Sequence, residues 1–108
     1  MKRGDLVAVA LPGDFGKPRP ALVMQSDRFE DLATVSVLPL SSDVRDLPLF
    51  RITLEPDGEN GLRKTSQVMV DKPQTISRAK AGQVIGTVDP GTLLQVERSL
   101  AIFLGIAK

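Results

Sequence analysis

The chain contains no histidine, cysteine, tyrosine or tryptophan, and each absence removes a class of chemistry. Without cysteine there are no disulfides, no thiol nucleophiles and no thiolate metal sites. Without histidine the chain lacks the commonest general acid–base and the commonest metal ligand. An enzyme of this sequence therefore works with arginine, lysine, carboxylates and hydroxyls. Stacking on nucleic-acid bases is left to the four phenylalanines and to arginine side chains.

Long apolar runs and targeting patterns are also absent. No run approaches the length of a membrane span and no signal-peptide pattern opens the chain, so we expect a cytoplasmic protein that does not use a membrane. The 108 residues suffice for a single domain, 1–108, and not for two. No metal-ligand spacing and no phosphate-binding glycine loop is visible, so neither a metal nor a cofactor is expected.

Positive and negative charges nearly balance. Fourteen Lys and Arg face thirteen Asp and Glu, a net charge of +1. This argues against a general nucleic-acid coat and against an acidic tail. A local basic patch is still compatible with the total, because the sum hides clusters.

The segment 16–27 organises the chain. It is charged and stiffened by proline, and it runs directly into an apolar strand. Arg19 lies between two prolines, which hold its backbone extended at the start of that strand. The planar fork of a guanidinium placed there suits a carboxylate or a phosphate. The plain alternative is a surface arginine at a strand start.

Short apolar or alternating runs predict about six strands, and the end of the chain predicts one helix. The strands are expected at 6–11, 20–25, 34–40, 49–54, 65–71 and 83–88. Pro39 predicts an edge or a bulge at the end of the third strand. The segment 75–82 is expected to be a turn, with one helical turn at most. The pattern is typical of a mainly β barrel or sandwich with a packed helix.

The helix is predicted from about 90 to 104. Asp89 and Pro90 supply an N-cap and a first-turn proline, and Gly105 suits the C-terminal end. A single helical stripe collects the apolar residues Leu93, Leu94, Val96, Leu100, Ala101, Phe103 and Leu104.

Polar residues are concentrated where the predicted strands meet loops. Each has an ordinary explanation as a turn former, a cap or a solvated side chain. Their shared placement is typical of a functional site carried on a rigid β scaffold. The set comprises Arg19, Ser41, Ser42, Gln67, Asp71, Lys72, Thr75 and Ser77.

Several stretches together resemble the MazF/PemK-like toxins of bacterial toxin–antitoxin modules. They are Arg3-Gly4-Asp5 before a strand, the run 19–27, and the run 66–71 followed by Thr75-Ile76. The resemblance implies an SH3-like β-barrel with a C-terminal helix, and a homodimer. It also implies a sequence-specific, metal-independent endoribonuclease that cuts single-stranded mRNA at short motifs and inhibits translation. In this family the RNA 2′-hydroxyl attacks the adjacent phosphate and leaves a 2′,3′-cyclic phosphate. Such chemistry needs no histidine if an arginine stabilises the developing charge.

The same resemblance assigns roles to residues. Arg19 matches the catalytic arginine, Ser41 lies where many members have a catalytic threonine, and Asp71 matches a carboxylate that acts as a base. It also implies a partner antitoxin whose disordered acidic tail folds over the active surface. The expected RNA-binding residues are Lys17, Ser42, Gln67, Lys72, Thr75 and Ser77.

The sequence also departs from the family pattern. Met69 lies where one branch carries a second arginine, and the loop before Arg19 is shorter than usual.

Two alternatives stay open. The runs 23–27, 38–42 and 103–106 resemble CcdB-like poisons of the same superfamily, which bind DNA gyrase and cut nothing. The Arg19-Pro20 pair and the N-terminal Arg-Gly-Asp favour the ribonuclease. A β-barrel adaptor without toxicity is the third interpretation.

Overall fold

The computed structural model describes residues 1–11, 13 and 15–108. Two short 3-10 turns occur at Asp27–Phe29 and Arg78–Lys80. The strands and the helix are β1 Asp5–Ala10, β2 Pro18–Val23, β3 Thr34–Ser41, β4 Arg51–Leu54, β5 Ser66–Met69, β6 Gln74–Ser77, β7 Val84–Thr87 and α1 Pro90–Phe103.

The strands form one antiparallel sheet that curls into a half-barrel. Its order is β4-β5-β3-β2-β1-β7, and β6 also pairs with β3. One side of β3 lies along β2. Its other side pairs first with β6, at 34–37, and then with β5, at 40–41. The predicted mainly β fold with a C-terminal helix is confirmed, with seven strands in the described residues where about six were expected.

Two details of the strand prediction are wrong. Pro39 was expected at an edge or bulge, but β3 is a central strand and Pro39 pairs with Ala21 of β2. It is tolerated because it lies where the other side of β3 changes partner from β6 to β5, so no ladder bond is lost there. The segment 75–82 was expected to be a turn, but its first three residues belong to β6. The sequence of β6 contains no apolar run that would have indicated a strand.

The core follows from strand alternation. In β1, Leu6 belongs to one buried cluster while Val7 and Val9 belong to another, and β2 and β3 divide their residues in the same way. Val96 of α1 lies in the first cluster, so the helix covers that face of the sheet.

Helix α1 begins and ends as its cap residues predict. The Asp89 side chain accepts a hydrogen bond from the backbone N–H of Thr92, at 3.1 Å. Gly105 follows the helix with a positive φ of 76°, which suits glycine. Only Val96 and Ser99 are buried, so the predicted apolar stripe is covered in part. Nowhere in the described residues is there a helix long and apolar enough to span a membrane.

Candidate active site

A pocket lies where β2 begins and β3 ends. Ala21 pairs with Pro39, and continuing that antiparallel register places Arg19 opposite Ser41. The pocket has a volume of about 380 Å³. Its lining includes Arg19, the consecutive Ser41 and Ser42, and Lys72. The sheet brings these three parts of the sequence together. We call it the β2–β3 pocket.

A larger pocket of about 840 Å³ adjoins it and shares Arg19, Leu40 and Ser42 with it. Lys17 lines this second pocket, together with Arg63 and Lys64 from the segment before β5. We call it the basic groove.

The two pockets concentrate positive charge. Five lysines and arginines line them, namely Lys17, Arg19, Arg63, Lys64 and Lys72. Among the residues that the structure describes, the one acidic side chain in their linings is that of Asp43, which pairs with Arg45 through a 2.8 Å contact from Nη2 to Oδ2. In a chain of net charge +1 this is a strongly asymmetric distribution. A concave surface of this kind attracts polyanions.

Ser41 and Ser42 offer hydroxyls beside these cations. The Ser41 hydroxyl oxygen accepts a hydrogen bond from the backbone N–H of Asp43, at 3.1 Å, which shapes the turn after β3. A hydroxyl that accepts one bond still has its own hydrogen to donate. Ser42 is exposed and lines both pockets. Both hydroxyls are therefore suited to the oxygens of a phosphate placed near Arg19.

Gln67 is buried and is not among the residues that line either pocket. Its amide exchanges two hydrogen bonds with the backbone of Arg45, with Arg45 N–H donating at 3.0 Å and Arg45 C=O accepting at 2.9 Å. It also donates to the Thr53 hydroxyl at 3.1 Å. Gln67 therefore anchors the loop that follows Ser42, and the structure gives no geometry for the direct RNA contact predicted from the sequence.

Asp71 is held in an ion pair and lines neither pocket. Its Oδ1 lies 3.5 Å from Nε of Arg51, and the two side chains are only 20% and 10% exposed. Its other oxygen lies 3.7 Å from Nζ of Lys72, which does line the β2–β3 pocket. The predicted base is thus placed behind the pocket, next to one of its cations.

Thr75 and Ser77 lie on β6, opposite Ser36 and Thr34. Ser41 is five to seven residues further along β3, which corresponds to about 16–23 Å. The structure therefore does not bring these two residues into the β2–β3 pocket. Gln74, opposite Val37, does line it.

Three further residues line the pockets and were not predicted from the sequence, namely Arg63, Lys64 and Gln74. The available signal for the first two was a basic pair between the turn cluster at 55–61 and the start of β5. Met69, where one branch of the family carries an arginine, also lines the β2–β3 pocket.

Comparisons with known proteins agree on one family. Residues 2–104 match the PemK-like, MazF-like toxins of type II toxin–antitoxin systems. A protein of Mycolicibacterium smegmatis named probable endoribonuclease MazF is 40% identical over 108 residues, which cover 99% of each chain.

Solved structures share the fold. An endoribonuclease in complex with its cognate antitoxin, from a mycobacterial species, superposes with a TM-score of 0.84 at 24% identity, covering 100% of this chain and 98% of the other. A MazE–MazF structure from Deinococcus radiodurans gives 0.81 at 23% identity, covering 99% and 97%. The CcdB-like alternative is not favoured by these matches. The chain belongs to the PemK-like, MazF-like toxin family of type II toxin–antitoxin systems.

Proposed function

We propose that this protein is the toxin of a toxin–antitoxin pair and acts as an endoribonuclease on single-stranded RNA, inhibiting translation by cutting mRNA. Family membership and the 40% identical relative named as an endoribonuclease support this function. The observation that carries it is the β2–β3 pocket, in which Arg19 lies beside two serine hydroxyls and Lys72.

The reaction is an internal transfer that the pocket is suited to accelerate. The RNA 2′-hydroxyl loses its proton as its oxygen bonds to phosphorus, and the 5′-oxygen gains a proton as it leaves. The products are a 2′,3′-cyclic phosphate and a 5′-hydroxyl. Negative charge accumulates on the phosphate oxygens in the transition state, where a fixed guanidinium and hydroxyl donors stabilise it most. We assign these roles to Arg19 and Ser41.

Neighbouring residues bind the RNA or position the side chains that bind it. Ser42, Lys17 and Lys72 contact the RNA phosphates, as their exposure in the pocket walls allows. Gln67 acts through the backbone of Arg45, and Asp71 acts through Arg51 and Lys72.

Thr75 and Ser77 are expected to contact RNA only if the chain continues along β6, away from the pocket.

The same positive surface suits the partner. An acidic, disordered antitoxin tail would bind where the RNA binds and block it. The related mycobacterial endoribonuclease was solved with its cognate antitoxin, which supports this assignment. We also propose a homodimer in the cytoplasm, where its mRNA substrate is found.

Cleavage of RNA by the purified protein tests the function. With a long single-stranded transcript in excess chelator, we expect endonucleolytic cuts by the wild type. Arg19→Ala should slow cleavage by about 10²–10³-fold, the usual effect of losing one donor to a developing oxyanion. Arg98→Ala, an exposed arginine on α1, is the matched control and should cut normally.

Either of two results would contradict the proposal: no cleavage by the wild type, or equal cleavage by Arg19→Ala. Inhibition of gyrase supercoiling without RNA cleavage would support the gyrase-poison alternative instead.

A further inference from the structure

We infer that Arg63 and Lys64 form a second phosphate subsite for single-stranded RNA, in the basic groove next to the pocket that holds the scissile phosphate. The inference rests on the proposed function and extends it to a part of the surface to which no role has been given.

The basic groove continues directly from the β2–β3 pocket. The basic groove and the β2–β3 pocket share Arg19 and Ser42, so a strand whose scissile phosphate lies at Arg19 continues into the groove without leaving the protein surface. The groove is more than twice as large, about 840 Å³ against 380 Å³. It therefore has room for a nucleotide beyond the one that reacts.

The basic groove combines positive charge with apolar side chains. The groove is lined by the cations Lys17, Arg63 and Lys64 in addition to Arg19, and by no acidic residue among those the structure describes. Its lining also includes apolar side chains, among them the partly exposed Pro20 and Ile85, which we call the apolar floor and against which a base can lie. Cationic walls over an apolar floor match a nucleotide, whose phosphate and base need different surroundings.

The loop that leads to Arg63 is held in place by Asn60, which is only 3% exposed. Its Oδ1 accepts the backbone N–H of Leu62 at 3.0 Å, and its Nδ2 donates to the carbonyl of Glu55 at 2.8 Å. Gly61 has a φ of +69°, and a Cβ on it would lie 2.0 Å from the carbonyl oxygen of Ile85. The loop is thus pressed against β7, which fixes where the next two residues, Arg63 and Lys64, begin.

An acidic peptide is the competing ligand for a cationic groove. RNA is favoured because the groove opens directly from the reacting pocket and adds an apolar floor that a carboxylate side chain does not use. The two ligands also predict different results when binding and cleavage are measured separately.

The test compares Arg63→Ala/Lys64→Ala with a control of equal charge, Lys80→Ala/Arg98→Ala. Both control residues are exposed and line neither pocket. Binding is measured by fluorescence anisotropy with a random-sequence single-stranded RNA pool, fully 2′-O-methylated so that it cannot be cut, over a range of salt concentrations. Cleavage of an unmodified transcript gives KM and kcat in parallel.

We expect the groove variant to lose two phosphate contacts. The slope of log K against log salt should fall in magnitude by about 1.4, since each contact with a single strand contributes about 0.7. Extrapolated from equal affinity at 1 M salt, a slope difference of about 1.4 corresponds to binding about 25-fold weaker at 0.1 M salt. KM should rise by a similar factor with kcat little changed, and the control should stay close to the wild type.

Equal slopes and equal KM values for the two double variants would overturn the inference. So would a groove variant that binds RNA normally but no longer binds a poly-glutamate peptide, because the groove would then serve an acidic peptide. If the groove variant shows the expected smaller slope than the wild type, but the wild type cuts no RNA, the proposed function fails and the subsite stands.

Discussion

At the scale of single residues, the surroundings of a charged group separate catalytic from structural roles. Arg19 is exposed, at the start of β2, and faces two pockets. Asp71 has a carboxylate that could act as a base, but it lies against Arg51 and its Oδ1 is buried. A partly buried ion pair that loses one partner leaves the other charge uncompensated. Asp71 is therefore expected to affect stability first and catalysis second.

The variant Asp71→Asn tests this order. It keeps the shape of the side chain but leaves the guanidinium of Arg51, only 10% exposed, without its counter-charge. We expect the free energy of unfolding in urea to fall by about 1–3 kcal/mol. Adding Arg51→Met should recover much of the loss, because the isolated charge is then removed as well.

The base role makes the opposite prediction for the same protein. Loss of a general base costs about 10²–10⁴-fold in rate and need not change stability. Three results together would contradict the positioning role. The Asp71→Asn variant would keep the unfolding free energy of the wild type and lose most of its kcat, while Arg51→Met would keep its kcat.

Part of the candidate site could be predicted from the sequence at this scale, and the rest could not, for a physical reason. Arg19 could be selected because two prolines dictate its backbone locally. Gln67 could not be classified, because an amide that faces solvent and one that completes a buried loop look alike in a sequence. Arg63 and Lys64 join the site only through the packing of their loop on β7, which is a tertiary contact.

At the scale of elements, local chemistry was enough for α1 and for most strands, and insufficient for β6. The helix carries its own cap residues and a 3.6-residue pattern, so its ends were predicted within one residue. β6 is four residues long and carries one apolar side chain. It is a strand because it pairs with residues 34–37 of β3, on the side of β3 that faces away from β2. No local pattern reports such a partner.

The N-cap of α1 makes stability depend on pH. Hydrogen bonds from the hydroxyl and then the backbone N–H of Thr92 hold the pKa of Asp89 below its ordinary value of 3.8. A carboxylate whose pKa is lowered by folding stabilises the protein above the ordinary value, and that contribution is lost as the pH falls through the lower pKa of the folded state.

We therefore expect Asp89→Ala to lower the Tm at pH 7, and the difference from the wild type to shrink as the pH drops below about 3.8. Calorimetry over a pH series measures it. A Tm difference that is constant across the series would show that the carboxylate charge does not stabilise the cap.

The contact between the 55–62 segment and β7 is a second testable element. A Cβ added to Gly86 would lie 2.3 Å from the carbonyl carbon of Asn60 and 2.5 Å from the carbonyl oxygen of Glu59. Since both are backbone atoms, the segment must shift, and Gly86→Ala should cost about 1–3 kcal/mol of unfolding free energy. Gly58→Ala is the control, because a Cβ there meets no atom within 4 Å. Equal stability of the two variants would contradict the close packing.

At the scale of the whole molecule, two surfaces of different character stand out. The pockets gather positive charge, while the C-terminal part of α1 and the residues after it leave large apolar side chains exposed. These are Ile102, Phe103, Leu104 and Ile106, at 40%, 48%, 53% and 77% exposure. Contiguous exposed apolar surface on a small protein is characteristic of an interface. It is the surface we expect the proposed homodimer to bury.

Phe103→Glu tests this assignment, because a carboxylate in an apolar interface cannot be buried without a partner. We expect the protein to sediment as a dimer and the variant as a monomer at the same concentration. Phe29→Glu, at a phenylalanine 54% exposed on the Asp27–Phe29 turn, is the control. A dimer that persists in Phe103→Glu would place the interface elsewhere.

The chemical ends of the RNA fragments show directly whether the protein cuts RNA by attack of the 2′-hydroxyl. Purified wild-type protein is incubated with a single-stranded transcript in excess chelator, and the fragment ends are identified by mass spectrometry. We predict a 2′,3′-cyclic phosphate on each upstream fragment and a 5′-hydroxyl on each downstream one, with neither formed at a comparable rate by Arg19→Ala. Fragments that carry 5′-phosphates, or an RNA left intact by the wild type, would contradict it.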